Sequence, residues 1–370
     1  MTITLNGTTG IVNTGSETIT GALTAANFNG ASTFGFKNRI INGAMAINQR
    51  GASVTASGYT VDRFQYVASV ASKGTLAQST TVYPTGFNYS LGFTSSSAYS
   101  VGAGDYFAIN QTIEGYNIAD LGWGTANAKT VTLSFWVYSS LTGTFGGSLS
   151  SYASTRSYPF TYTISSANTW TQISITVVGD TTVSATNWKI NNDAGMNVWF
   201  GLGVGSTYSG TAGAWAGSAY YSATSAVSVV STGSATFYIT GVQLETGTVA
   251  TTFEYRPYGT ELQLCQRYFY KTNSVDTLRL GGLWGSVYAS GSANVSGTFP
   301  VPMRVAPTTQ DRSGTNDNWY MSGVTSGSAG SFSSPTVSTT MMNTEVTGLS
   351  ASSVGQPVQY NGRISFGAEL

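Results

Sequence analysis

Hydrolysis of a glycosidic bond uses two carboxyl groups about 5–9.5 Å apart, flanking the scissile bond. The densest acidic stretch that could supply them is GDYFAINQTIEGYNIADLGWG, which sets Asp105, Glu114 and Asp120 among Tyr106, Tyr116 and Trp123. Acids in such segments more often anchor loop backbone through hydrogen bonds, and that is the role expected of Glu114 and Asp120. The sequence has no histidine, which removes Ser-His-Asp and Cys-His nucleophiles and every His-ligated metal site. Cys265 is the single cysteine, so an intrachain disulfide and a thiolate metal site are excluded. GLGVG, 201–205, is followed by no helix pattern that would hold a phosphate. No catalytic residue, metal or cofactor is assigned.

Binding by ring stacking is the other chemistry these residue types allow. Tyr and Trp present an apolar body and a polar handle, which suits the C–H face and hydroxyls of a sugar. Trp284 and Tyr288 stand in GGLWGSVYASGS, and Trp319 and Tyr320 stand beside Asp317 in DRSGTNDNWYMSG. These five are the candidate glycan-binding residues, and the second group reads as a loop. Trp136, Trp170 and Trp199 lie in strand-like segments and are expected in the core.

The elements that must position these residues are strands. Val131, Leu133, Phe135 and Val137 alternate with more polar neighbours, as do Ile173, Ile175 and Val177, and Val198, Phe200, Leu202 and Val204. That period of two marks half-buried strands. The pattern slips between Phe237, Ile239 and Val242, Leu244, and Gly241 is the natural site of a bulge. Short Gly, Ser, Asn and Thr clusters separate the runs, as in a sandwich or barrel. One short helix is expected at Glu261 to Arg267, after Pro257. The class is all-β: a short extended N-terminal segment, 1–35, a β-sandwich over 36–256, and a β-rich domain over 257–370 with a loose Ser/Gly tract at 322–340.

Composition narrows the function. Length, 370 residues, suits two or three domains. Charged residues make up 8% against about 25% in an ordinary soluble domain, while 22 Tyr, 17 Phe and 8 Trp argue against disorder. Fifteen bases balance fifteen acids, so there is no field for a nucleic-acid backbone. MTITLNGTTG has no basic stretch or apolar run and is not read as a signal peptide, and no segment approaches the roughly 18 apolar residues of a membrane span.

The few charges are clustered. Lys37, Arg39, Arg50, Asp62 and Arg63 form one group, and Glu245, Glu254, Arg256, Glu261, Arg267, Lys271, Asp276 and Arg279 another. The two groups are expected to meet and pair, with an anion site at Arg39, Arg50 and Arg63 as the alternative.

NRIINGAMAINQRGAS (38–53), YTVDRF (59–64), IEGYNIADLGWGTANAKTVTLSFWVYSS (113–140) and ITGVQLETGTVATTFEYRPYGTELQLCQRYFYK (239–271) resemble a domain of bacteriophage tail fibre and receptor-binding proteins. FPVPMRVAPT (299–308) and SFGAEL (365–370) are similar to the C-terminal module of the same proteins. Ala44 and Ala46 stand where that family often has an acid or base, and Phe64 where it often has Trp. The resemblance implies a virion-borne homotrimer with a jelly-roll like that of carbohydrate-binding modules. It also implies a distal tip that touches a host surface polysaccharide or lipopolysaccharide. Residues 1–35 are then the attachment to other tail proteins, and Leu262, Leu264 and Phe269 are expected to make contacts between copies. A polysaccharide depolymerase and a purely structural tail adaptor are the alternative functions.

Overall fold

The computed structural model describes residues 36–370 apart from 52, 184–186, 272–283, 308, 312–317, 322–323, 329–335, 348–353 and 361–364. The expected attachment segment, 1–35, therefore lies outside the described residues. Residues 37–370 form one compact unit.

The chain enters this unit with β1 (Gly58–Tyr59), β2 (Gln65–Ala68), β3 (Gly74–Ser79) and β4 (Ser90–Ser95). It continues through β5 (Tyr106–Glu114), β6 (Val131–Ser139), β7 (Gly143–Ser151) and β8 (Ser157–Ile164). β9 (Thr171–Val177) and β10 (Ala194–Val204) follow, then two short paired strands, β11 (Ser209–Gly210) and β12 (Ser222–Ala223), and β13 (Thr236–Thr246). Six strands pair in the order β1-β2-β5-β10-β7-β8 and five in the order β3-β4-β13-β6-β9. The ladders of both sheets are antiparallel, and β4, β5, β6 and β7 change sheet at every step. This wrapping is a jelly-roll sandwich.

The alternation read from the sequence is what fills it. Val131, Leu133, Phe135 and Val137 on β6 and Val198, Phe200 and Leu202 on β10 are buried between the sheets, each side chain worth about 1.5–3 kcal/mol. Ile173 and Ile175 are only half-buried because β9 is an edge strand. At Gly241 φ is 62° and the pairing with β6 slips between Thr240 and Gln243. The bulge returns Val242 and Leu244 to the core.

After Pro257 the helix α1 (Tyr258–Gln266) begins, three residues before the expected start. β14 (Phe269–Lys271), β15 (Trp284–Ala289), β16 (Ser292–Thr298), β17 (Thr309–Asp311) and β18 (Asn318–Met321) come next. β19 (Val324–Ser328), β20 (Thr336–Val337), β21 (Met341–Thr347), β22 (Pro357–Tyr360) and β23 (Ser365–Gly367) complete the series. They form a seven-stranded sheet, β19-β18-β22-β15-β16-β21-β20, and a three-stranded one, β14-β23-β17. The tract expected to be loose thus contributes β19 and β20. Val287, Val295, Met342, Val358 and Phe366 belong to a separate small core there.

The two charged groups meet, but not as expected. Residues 38–43 run along β13, with Arg39 N donating to Leu244 O at 2.8 Å and Val242 N to Gly43 O at 3.0 Å. Arg256 donates to the Ile40 and Asn38 carbonyls, and Glu254 accepts from Asn38 N at 2.7 Å. The arginines of the first group find their acids elsewhere. Arg39 pairs with Asp120 at 2.7 Å, Arg50 with Asp62 at 3.4 Å and Glu369 at 2.9 Å, and Arg63 with Glu369. An anion site at these three arginines is therefore overturned, since each already holds a carboxylate. Leu262 and Leu264 pack on Ile41, Ile47, Cys265 and Tyr268 of their own chain, and Phe269 lies 3.7 Å beneath the Arg50 guanidinium. Burial pushes the Cys265 thiol well up from its ordinary value, so it is a core residue without thiolate chemistry.

Candidate functional site

The acidic segment is dispersed by the fold. Asp105 and Glu114 bracket β5, nine residues apart, and at about 3.3 Å per residue that is roughly 30 Å. This is several times the separation that hydrolysis uses. Asp105 accepts from Gly102 N at 2.9 Å, Tyr99 Oη at 2.9 Å and Ser69 Oγ at 3.0 Å, and the first of these does most to lower its pKa. Glu114 is 1% exposed and accepts from Arg267 and Tyr268. All three acids anchor other parts of the chain.

The aromatic candidates stand differently. β15 alternates between a core face and a solvent face: Val287 is buried, whereas Trp284 is 53% and Tyr288 48% exposed. Tyr288 donates its hydroxyl to Glu345 of β21. The sheet thus closes one face over its own core and opens the other, with two rings beside the polar residues Ser286 and Asn294, which pair across β15 and β16. Trp319 and Tyr320 belong to a strand, β18, and not to the loop read from the sequence. The segment NWYM pairs with β22 on one side and β19 on the other, which suits its aromatics. Trp284 and Tyr320 are both register partners of Gln359, so the two positions share one row across the sheet. The side chains of Trp319 and Tyr320, and all of Asp317, lie outside the described residues.

A second aromatic surface escaped the sequence reading. Trp136 and Trp170, expected in the core, are half-buried on the outer side of the five-stranded sheet. Tyr138 lies 5.5 Å from Trp170 and 5.6 Å from Tyr238, centroid to centroid. Tyr238 packs closely on Gly92, where a Cβ would stand only 2.6 Å from the ring. Trp199 is buried, yet outside the core between the sheets. It stacks on Tyr221 at 4.4 Å, which stacks on Tyr208 at 5.1 Å, so the 206–221 segment covers it. Period-two alternation marks a residue as in or out only when the sheet assignment is known, and these tryptophans sit on the polar phase of their strands.

An open pocket of about 170 Å³ adjoins this surface, lined by residues from the 38–47, 86–89 and 253–261 segments. Phe87 and Trp136 both press on Gly241, at 2.7 and 3.1 Å from where a Cβ would stand, so the bulge joins the cavity to the aromatic strip. Alternating rings and charges in FEYRPY, 253–258, are the only sequence signal for it.

No family model matches the chain, and no curated protein matches it. Among solved structures it is similar to the enzymatically active domain of tailspike protein 4 from bacteriophage CBA120, with 12% identity over 57% of this chain and 21% of that one and a TM-score of 0.29. The chain thus spans about a fifth of that protein's length. It is also similar to a family 11 carbohydrate-binding module of Clostridium thermocellum, with 9% identity over 51% of this chain and 91% of that one and a TM-score of 0.27. A third likeness is to the CBM22-1–GH10 modules of xylanase 10B from Clostridium thermocellum, with 13% identity over 55% and 30% of the two chains and a TM-score of 0.28. Among the described residues no group of three or more Cys, Asp or Glu could hold a metal ion, and no helix is long and apolar enough to cross a membrane.

Proposed function

We propose that this chain is a glycan-binding protein of a bacteriophage tail fibre that adsorbs the particle to a bacterial surface polysaccharide or lipopolysaccharide. The observation that carries the reading is the outer face of the seven-stranded sheet, where Trp284 and Tyr288 stand about half exposed. Tryptophan is highly buried on average, and this sheet has a core that Trp284 does not enter. Rings held open beside hydroxyl, amide and carboxylate groups fit the C–H face and hydroxyls of a sugar. The reading is of a binder and not a hydrolase, because Asp105, Glu114 and Asp120 are each engaged by neighbouring donors. Under it the copies form a virion-borne homotrimer, residues 1–35 join other tail proteins, and weak single sites gain from multivalency.

The test is binding of the full chain to purified capsular and O-antigen polysaccharides, together with its ability to block phage adsorption. Trp284→Ala with Tyr288→Ala is expected to weaken binding at least about tenfold by removing the exposed rings, while the melting temperature stays in place because surface substitutions shift stability by only about 0.5 kcal/mol. A wild-type chain that binds none of the polysaccharides and blocks no adsorption would refute the proposal.

A further inference from the structure

The pocket beside Gly241 has the size and lining to take part of a single ring. It measures about 170 Å³, slightly more than the cavity of about 150 Å³ that seats a benzene, so a sugar ring, with about twice as many heavy atoms, enters it only in part and keeps its other edge in solvent. Phe87, Phe253 and Tyr255 line it and pack on one another, with centroids 4.8 to 5.5 Å apart. Tyr255 is 60% exposed, and its hydroxyl donates to Gly86 O at 2.5 Å. The ring is thus oriented by a hydrogen bond and by its aromatic neighbours while a large part of it stays open.

The rest of the lining mixes apolar residues such as Ala44, Ala46 and Ile47 with polar ones that include Asn88, Glu254, Arg256 and Glu261. Arg256 holds Glu261 at 3.3 Å and Glu254 at 3.6 Å. Glu254 accepts from Asn38 N and Glu261 from Asn42 N. A carboxylate has about four acceptor positions, so both acids keep capacity to accept from hydroxyls. Two carboxylates stand against one guanidinium, which leaves the site with an excess negative charge. Like charge in such a site repels an acidic ligand.

We propose that this cavity is a subsite for one neutral hexopyranose, resting on the glycan-binding reading above and placed in the sandwich body, away from the exposed rings of the C-terminal sheet. The sugar's C–H face lies on the Phe87, Phe253 and Tyr255 cluster, and its hydroxyls donate to the carboxylates. The adjoining Trp136 extends the aromatic surface toward Tyr138 and Tyr238, along which a longer glycan continues.

The test uses the full chain with methyl glucopyranoside, methyl galactopyranoside and methyl mannopyranoside, and methyl glucuronide as the acidic control. Saturation-transfer NMR and calorimetric titration are the readouts. At least one neutral glycoside is expected to bind with Kd on the order of 1 mM, and the glucuronide at least tenfold more weakly. Tyr255→Ala is expected to weaken binding at least tenfold, while Tyr255→Phe, which keeps the ring, retains it. If Tyr255→Ala does not fold, Asn88→Ala serves, with an expected several-fold loss. Binding of polysaccharide without binding of any methyl hexoside would overturn the subsite and leave the glycan reading standing. Hexoside binding that survives both Tyr255→Ala and Asn88→Ala would place the sugar elsewhere and overturn it too. A preference for the glucuronide would do the same. Hexoside binding lost on Tyr255→Ala in a chain that binds no polysaccharide and blocks no adsorption would support the subsite and refute the tail-fibre reading.

Discussion

Glu114 and Arg267 lie 153 residues apart in sequence and meet in a bidentate pair, Nε to Oε2 at 2.9 Å and Nη2 to Oε1 at 2.5 Å. The Tyr268 hydroxyl donates to the same carboxylate at 2.6 Å. One acid at the end of β5 therefore ties the sandwich to the segment that follows α1.

Replacing it tests this role. Glu114→Gln keeps the shape and removes the charge, and is expected to cost about 1–3 kcal/mol of stability, read by urea denaturation. No hydrolytic activity is expected of either protein. Release of reducing ends from a polysaccharide by the wild type, abolished in an equally stable Glu114→Gln protein, would return the residue to catalysis.

Asp62 gives a pH signature. Its carboxyl is fully buried, and burial pushes its pKa from 3.8 to about 6 against the opposing pull of Arg50 and the Gln49 donors. The fold thus holds this proton more tightly than the unfolded chain does. Stability from this group is greatest below about pH 4, falls as pH rises toward about 6, and is level above that. A displacement of about two pH units corresponds to about 3 kcal/mol. Asp62→Asn is expected to flatten the fall in stability between pH 4 and pH 6.5. A pH profile identical to that of the wild type would show that the group titrates normally.

Gly241 combines a left-handed φ of 62° with a ring 2.7 Å from where a Cβ would stand. Gly241→Ala is expected to lose about 1–3 kcal/mol from backbone strain and displaced packing, measured by chemical denaturation. It should also displace Phe87. Unchanged stability would mean that the bulge relaxes without cost.

How much of this was legible from the sequence depended on whether the signal was local. Val131 to Val137 and Val198 to Leu202 announce their strands because burial imposes period two on neighbouring residues. Gly241 announced the bulge because the phase of the pattern changed across it. Trp136 and Trp170 misled because aromatic residues suit either face of a sheet, and their phase becomes readable only once Val137 and Ile173 are known to point inward. NWYM lacked alternation and lay among turn residues, so its strand depends on partners in β22 and β19 that sequence alone does not name. The cavity needed three segments separated by up to about two hundred residues, and no short pattern carries that information. For the same reason, the acids that Arg50 and Arg63 take, Asp62 and Glu369, were not the ones expected.

Glu369 has a consequence for the order in which the protein assembles. Its partners Arg63 and Arg50 precede it by 306 and 319 residues, and Ser365–Gly367 is the middle strand of its sheet. The sandwich strands are complete once residue 246 is made, and at 5–20 residues per second the ribosome needs roughly 6–25 s more to reach Glu369. For that interval Arg63 and Arg50 exist without the acid Glu369 that they share. A sandwich that closes before then would do so with Arg63 unpaired, and its pairing with Glu369 would follow as a late step.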